Sequence, residues 1–250
     1  MTSSHFITPE WPVHARVRAA FTTRLGGVSV APYHSLNTAM HVGDDAAAVE
    51  ENRRRVRNGL MLPSEPRWLD QVHGVDVITV EDTNSVTPPR ADASVTAVAN
   101  NVCVVQVADC MPVLLASRDG SVVAAAHAGW RGLADGVLEA AMRQMAVRAG
   151  EIQAWLGPTI SQAHFEVGDE VRATFVAHDP NASTAFEQNQ RGRWQCDLYA
   201  LARQRLQASG ATSIYGGSWC TYGEPERFFS YRRDGRCGRM AALIWLDGRT

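Results

Sequence analysis

The chain is expected to form a single α/β domain with mixed or antiparallel strands. Short β-branched and apolar runs alternate with helix-period segments along its 250 residues. Gly and Pro punctuate these segments, and no linker, internal repeat or low-complexity tract separates them. A length of 250 residues lies at the upper end of one compact domain and easily supports a self-sufficient core.

Taken in order, residues 21–27 read as a strand running into the Gly26-Gly27 turn, and residues 32–37 as loop. Asp44 can cap a helix over 46–60, whose acids come early and arginines late, as the helix dipole prefers. Residues 68–72 and 75–81 read as strands flanking His73-Gly74, since β-branched residues recur and glycine interrupts. The continuous apolar run 102–107 suits a strand buried on both faces, and it ends in Ala108-Asp109-Cys110. Residues 113–117 and 121–126 flank Asp119-Gly120, a favoured type I′ hairpin pair. An amphipathic helix over 133–150 follows, with Leu133, Val137, Leu138, Ala141, Met142 and Met145 on its apolar face and glycine as its stop. A strand then ends at Leu156-Gly157-Pro158, helices fall near 166–176 and 197–208, and a last strand covers 240–246.

Composition narrows the function. With 45% hydrophobic and 20% charged residues the chain is ordinary globular protein, and no apolar run approaches the ~20 residues that span a bilayer. The first twelve residues lack a basic start followed by an apolar stretch, so a cytoplasmic location is expected. A net charge of −2 gives no field for nucleic acid or anionic membrane, which leaves a small-molecule partner and a protein acting as a monomer. Five scattered cysteines without a C-x-x-C fit reduced thiols. The chain has no lysine, which excludes Schiff-base chemistry and Walker-type phosphate loops.

Chemistry concentrates at the hairpin. If Asp119-Gly120 are its two loop residues, Arg118 faces Ser121 and Pro112 lies opposite His127, with Cys110 two residues along on the same face. Such diagonal neighbours have Cβ atoms within about 7–8 Å, so a thiolate and an imidazole can share a metal ion or a proton. Pro112 cannot donate to the ladder, and pairing is expected to fray there. A three-residue loop would instead put the two side chains on opposite faces. Alone, Cys110 is as readily a buried thiol and His127 a satisfied core histidine. His73 joins them only if the fold brings it there.

Asp70-Gln71-Val72-His73-Gly74, Ala108-Asp109-Cys110-Met111-Pro112-Val113-Leu114-Leu115 and Ala126-His127-Ala128-Gly129-Trp130-Arg131-Gly132 together resemble the YfiH-type family. That family goes by three names: purine nucleoside phosphorylase, multicopper polyphenol oxidase (laccase) and peptidoglycan editing factor. Thr23-Arg24-Leu25-Gly26-Gly27-Val28-Ser29, Ser35-Leu36-Asn37, Val42-Gly43-Asp44-Asp45, Phe165-Glu166-Val167-Gly168-Asp169 and Phe229-Ser230-Tyr231-Arg232-Arg233-Asp234-Gly235 extend the resemblance over nearly the whole chain. The chain departs from it after Gly157-Pro158, where Thr159-Ile160-Ser161-Gln162-Ala163 stands in place of glycine and cysteine, so the pocket wall is expected to differ there.

The resemblance implies an α/β (α+β) three-layer sandwich with a mixed, largely antiparallel sheet, of the cytotoxic necrotizing factor-like cysteine hydrolase kind. It implies zinc bound by His73, Cys110 and His127, which are also the catalytic residues. Three N/S ligands leave a fourth position open, as catalytic zinc sites do. The implied reactions are phosphorolysis of adenosine, inosine, guanosine-type nucleosides and methylthioadenosine, and deamination of adenosine by a water acidified toward about pH 7. Phosphate needs forked donors, for which Arg24, Arg232 and Arg233 are candidates, with Asn37 as a further substrate-binding residue. Three alternatives remain. One is a Cys-His amidase editing a peptidoglycan precursor, with Cys110 as nucleophile, His127 as base and Asp109 as orienter. Another is a copper polyphenol oxidase with Met111 as weak axial ligand, against which the eight histidines without an H-x-H pair argue. The third is a binding module without turnover.

Overall fold

The computed structural model describes residues 5–81 and 87–248. In chain order the elements begin with β1 (Phe6–Ile7), β2 (Val17–Thr22), α1 (Ala46–Gly59), β3 (Val77–Thr79), β4 (Ala93–Thr96) and β5 (Val102–Val107). The central part holds β6 (Met111–Ser117), β7 (Val123–Ala128), α2 (Trp130–Asp135), α3 (Val137–Gln144), β8 (Ile152–Leu156), β9 (Glu166–Val167) and α4 (Asp169–His178). The chain closes with β10 (Phe186–Gln188), β11 (Trp194–Cys196), α5 (Leu198–Ala208), β12 (Ser213–Gly216), α6 (Tyr231–Asp234) and β13 (Met240–Leu246). No helix among the described residues is long and apolar enough to cross a membrane.

The strands form a six-stranded sheet, β12-β8-β6-β7-β4-β3, a four-stranded sheet, β1-β2-β13-β5, and a small sheet, β10-β11-β9. Among the described strands only β12 with β8 and β3 with β4 pair in parallel, so the expected mixed, largely antiparallel α/β architecture is what forms. The two large sheets face each other. Phe21, Val105, Ala242 and Ile244 from one meet Leu114, Ala116, Val123, Ala125 and Trp155 from the other. On the far face of the larger sheet, Val113, Leu115, Ala124 and Ala126 pack on Leu138 and Ala141 of α3 and Leu201 and Leu206 of α5. Outside the smaller sheet, Val102, Val104 and Leu243 pack with Val56 of α1. A strand enclosed on both faces has no polar side to show, which is why β6 is buried at every position.

The strands β5 and β13 span the residues expected of them. Elsewhere boundaries move for identifiable reasons. The helix expected over 133–150 breaks at Gly136, whose φ of 102° closes α2 and opens α3. The cap of α1 is Asp45, because the Asp44 carboxylate is engaged by Ser29 Oγ at 2.6 Å and Asn37 Nδ2 at 2.9 Å. Residues 68–72 make single bridges in place of a regular strand, at Asp70 with Arg90 beside the Arg67–Cys103 bridge. β2 ends at Thr22, short of the expected 21–27, and α4 starts at Asp169, after β9.

At the β6–β7 hairpin, Ser117 N–H donates to Val122 O, so the loop holds residues 118–121 and is longer than a two-residue type I′ turn. Ser117 Oγ accepts from the amides of Ser121 (2.9 Å) and Val122 (3.0 Å), which widens the turn. Two and four loop residues have the same parity, so the register is unchanged and Pro112 pairs with His127.

Candidate active site

Even-numbered residues of β6 and odd-numbered residues of β7 face the four-stranded sheet. Where that seam ends, beside Val107 and Ala108, Cys110 and His127 emerge on one face. Pairing does not fray at Pro112 as expected; it continues to Met111 and Ala128. The His127 amide instead serves the neighbouring strand, donating to Asp92 O at 2.7 Å.

His73 arrives on a loop held by a single carboxylate. The amides of Val72 (3.1 Å), His73 (2.9 Å) and Gly74 (2.7 Å) all donate to Asp92, which is fully buried. They stabilise the left-handed His73 backbone, φ 62°. The same carboxylate meets His127 Nδ1 at 2.8 Å, leaving Nε2 for the site. Cys110 Sγ lies 3.8 Å from His73 Nε2, and the two imidazole rings cross at 72° with centroids 4.8 Å apart. The candidate ligand atoms of His73, Cys110 and His127 all fall within 4.8 Å of one another. Gly129 must be small here: a Cβ would stand 2.9 Å from Cys110 Sγ and 3.0 Å from His73 Cδ2.

Electrostatics match the geometry. Burial pushes the Cys110 thiol up, but the imidazoles of His127 and His73 outweigh it and hold the thiol below its ordinary range. Burial pushes His127 down, yet the charge of Cys110 and the Asp92 carboxylate hold it above the usual imidazole range. Asp92 would rise on burial, but its bonds from His127, Gly74 and Val72 keep it below the usual carboxylate range. In each case the neighbours favour the charged form, thiolate at Cys110, imidazolium at His127 and carboxylate at Asp92.

A cavity of about 340 Å³ opens on this cluster, within the ~300–1,000 Å³ typical of small-ligand sites. Gln71, Gln106, His41, Tyr231 and Arg239 complete its walls with Val107 and Ala108. Gln71 and Gln106 tie the His73 loop to β5, Gln71 donating to Gln106 O at 2.9 Å and Gln106 N–H to Gln71 Oε1 at 2.7 Å.

Of the residues expected to bind substrate, Arg24, Asn37, Arg232 and Arg233 do not line this cavity. Arg24 donates to His34 O and Pro225 O, each at 3.0 Å, and covers the Phe229 ring. Arg232 gives Nη1 to Glu166 O at 2.9 Å, and Arg233 donates to the carbonyls of Thr221, Tyr222 and Phe228. Asn37 is buried and accepts the Arg239 amide at 2.9 Å. Asp109 does not orient His127, as the amidase alternative expected; that partner is Asp92. Asp109, with φ 85°, accepts Thr221 Oγ1 and the Arg232 amide, each at 2.6 Å, and so fixes the turn that presents Cys110. Met111 faces the helix-side core, away from Cys110, so the axial copper ligand imagined for it is not available.

Sequence reasoning missed Asp92, Arg239, His41, Gln106 and Tyr231 as site residues. Two carried a signal: Asp92 is a lone acid in Ala91-Asp92-Ala93, and Gln106 the lone polar residue of an otherwise apolar strand. The cluster fits a metal, since two imidazole nitrogens and a thiolate are borderline-soft donors and one imidazole is backed by a carboxylate.

Residues 18–247 match the family described as multi-copper polyphenol oxidoreductase laccase. The chain is 51% identical to a purine nucleoside phosphorylase of Pseudomonas aeruginosa, over 97% of this chain and 98% of that one. It is likewise 51% identical to purine nucleoside phosphorylase YfiH of Escherichia coli K12, over 97% and 99%. Among solved structures, a Neisseria meningitidis protein superposes with a TM-score of 0.94 at 48% identity, covering 98% of this chain and 100% of that one. YlmD of Geobacillus stearothermophilus gives 0.90 at 30% identity, covering 99% and 98%.

Proposed function

Since this chain belongs to the multi-copper polyphenol oxidoreductase laccase family, which includes YfiH, we propose that it is a zinc-dependent enzyme phosphorolysing purine nucleosides. The substrates are adenosine, inosine, guanosine-type nucleosides and methylthioadenosine, and adenosine is also deaminated at the same centre. The observation that carries this reading is the His73, Cys110 and His127 cluster, anchored by buried Asp92 and open to a cavity of small-ligand size.

His73, Cys110 and His127 would hold the zinc ion, which supplies Lewis acidity when bound. Asp92 fixes the tautomer and orientation of His127, so that Nε2 faces the cavity. The same carboxylate sets the height of the His73 loop through three amides, so one group positions two of the three functional side chains. In the phosphorolysis, a phosphate oxygen bonds to the ribose C1′ as the C1′–N9 bond breaks. The bonding pair leaves with the purine, which takes up a proton. All five cysteines are free thiols, with Cys103, Cys196 and Cys237 buried, in keeping with the reducing cytoplasm.

One observation favours a second reading. The line of Cys110, His127 and Asp92 suits a Cys-His amidase acting on a cell-wall precursor. Both readings are tested together by incubating the purified protein with adenosine, inosine or guanosine and phosphate while following ribose 1-phosphate, free base and ammonia, and in a parallel arm with an amide-linked cell-wall peptide while following the free amine. Phosphorolysis is expected in the wild type, lost on chelation, restored by zinc, and absent from Cys110→Ala and His73→Ala. Equal rates in wild type and both variants would remove the proposal; amide cleavage that survives chelation would favour the amidase.

A further inference from the structure

The cavity beside Cys110 has an arginine on its wall that the reaction centre does not use. Arg239, immediately before β13, lines it with His41, Gln106 and Tyr231, and none of its lining among the described residues is an aspartate or glutamate. The arginine is held from several sides. Its amide donates to Asn37 Oδ1 at 2.9 Å, its carbonyl accepts Thr38 Oγ1 at 3.0 Å, and its Nη1 donates to Cys237 O at 2.8 Å and Gly238 O at 3.0 Å.

That anchoring occupies one corner of the guanidinium. Among the described residues Nε and Nη2 have no hydrogen-bond partner, whereas Arg24, Arg232 and Arg233 all donate to backbone carbonyls outside the cavity. Nε and Nη2 form the edge of an arginine that takes two oxygens of one oxyanion in parallel. The Tyr231 ring lies 5.8 Å from Arg239 Cζ and is 61% exposed, which leaves the approach to this edge flanked by an aromatic face.

We propose that Arg239, with His41 beside it, is the oxyanion subsite of the cavity and takes a tetrahedral phosphoryl group. The proposal rests on the phosphorolysis reading and makes inorganic phosphate the ligand. A phosphoryl group carried on a nucleotide has the same chemistry and is the second source to be distinguished. The three arginines expected from the sequence then act as braces of the fold, and the arginine that recognises the anion is one the motifs did not mark.

The test titrates inorganic phosphate alone into zinc-loaded wild type, Arg239→Met, Arg239→Lys and Arg232→Met by calorimetry. Phosphate KM and nucleoside KM are then measured in turnover. Arg239→Met is expected to weaken phosphate about tenfold or more, Arg239→Lys to recover part of the loss, and Arg232→Met to stay within about twofold. In turnover the phosphate KM rises and the nucleoside KM does not. If a nucleoside 5′-monophosphate binds in an Arg239-dependent way while free phosphate does not, the subsite stands with the nucleotide as its source. If wild type and both Arg239 variants take phosphate and nucleotide equally, or wild type takes neither, the subsite is overturned. The binding arm needs no turnover, so absent phosphorolysis would defeat the function above without deciding this result. Arg239→Lys keeps the cation and so keeps the test valid where Arg239→Met fails to fold.

Discussion

Cys110 and Cys220 each have an imidazole near the sulfur, at 3.8 Å from His73 Nε2 for the first and 3.4 Å from His164 Nδ1 for the second. By distance alone Cys220 is the closer pair, and it accepts further bonds from Ser161 Oγ at 3.0 Å and Gly223 N–H at 3.3 Å. The difference lies behind the rings. His127 is fixed by buried Asp92 and works with a second histidine, while the His164 ring stacks on Tyr222 at 4.5 Å and the Nδ1 that approaches Cys220 is shared with the Ser161 hydroxyl, not backed by a carboxylate. Cys103, with neither arrangement, is pushed up to about 12 by burial. A sulfur near an imidazole is thus not enough; an orienting carboxylate, a second imidazole and a cavity distinguish Cys110.

The largest effect should separate the two cysteines. Cys110→Ala and His127→Ala are expected to lower nucleoside turnover on the order of 10³-fold or more, since members of one centre fail as a unit. Cys220→Ala should keep turnover within about threefold, as for a substitution away from the chemistry. Equal losses at both cysteines would break the comparison.

Next in size is the carboxylate. Asp92→Asn is expected to cost about 10- to 100-fold in zinc affinity, measured by chelator competition, while His164→Ala leaves that affinity unchanged. Its signature extends to stability. A folded-state value held below the ordinary carboxylate range means that the stability Asp92 contributes is complete above about pH 4 and lost as the pH falls through the lowered value. Urea unfolding across the acid range should therefore show an acid limb that Asp92→Asn flattens.

Gly129→Ala sharpens the claim of close approach. Its φ of −63° suits any residue, so the added methyl strains no backbone and acts only by displacing Cys110 Sγ and His73. Turnover should drop about tenfold with folding stability changed by less than about 1 kcal/mol. A large stability loss with normal turnover per folded molecule would show that Gly129 serves the fold alone.

The smallest effect is a shift in a titration. In chelated protein, alkylation of Cys110 by iodoacetamide, read by mass spectrometry, should have its midpoint below the ordinary thiol value of about 8.5. His127→Ala removes the main opposing charge and should move the midpoint upward. A wild-type midpoint at or above the ordinary value would contradict the imidazole pairing.

Much of this could be read from the sequence, for local reasons. β13 is a continuous apolar run and β5 one broken only by Gln106; both are enclosed on both faces, and such runs fix their own ends. The pairing of Pro112 with His127 survived a mistaken turn type because register depends on loop parity and not on turn geometry. What failed was decided over long range. Arg24 lies in a glycine-rich block that resembles a binding loop, yet its guanidinium reaches Pro225 O, 201 residues away. Asp92 acquires its role only when the loop carrying His73 settles on it, and Gly136 breaks a helix whose apolar period runs straight through. Arg239 stands before a strand with no motif around it, and only the cavity reveals it.

The account turns on one centre shared by His73, Cys110 and His127, and anomalous diffraction from zinc-loaded crystals examines that most directly. One zinc ion per chain is expected, about 2.3 Å from Cys110 Sγ and about 2.0–2.1 Å from a nitrogen of each histidine. Zinc seated elsewhere, or these three side chains remaining apart in the loaded protein, would contradict it.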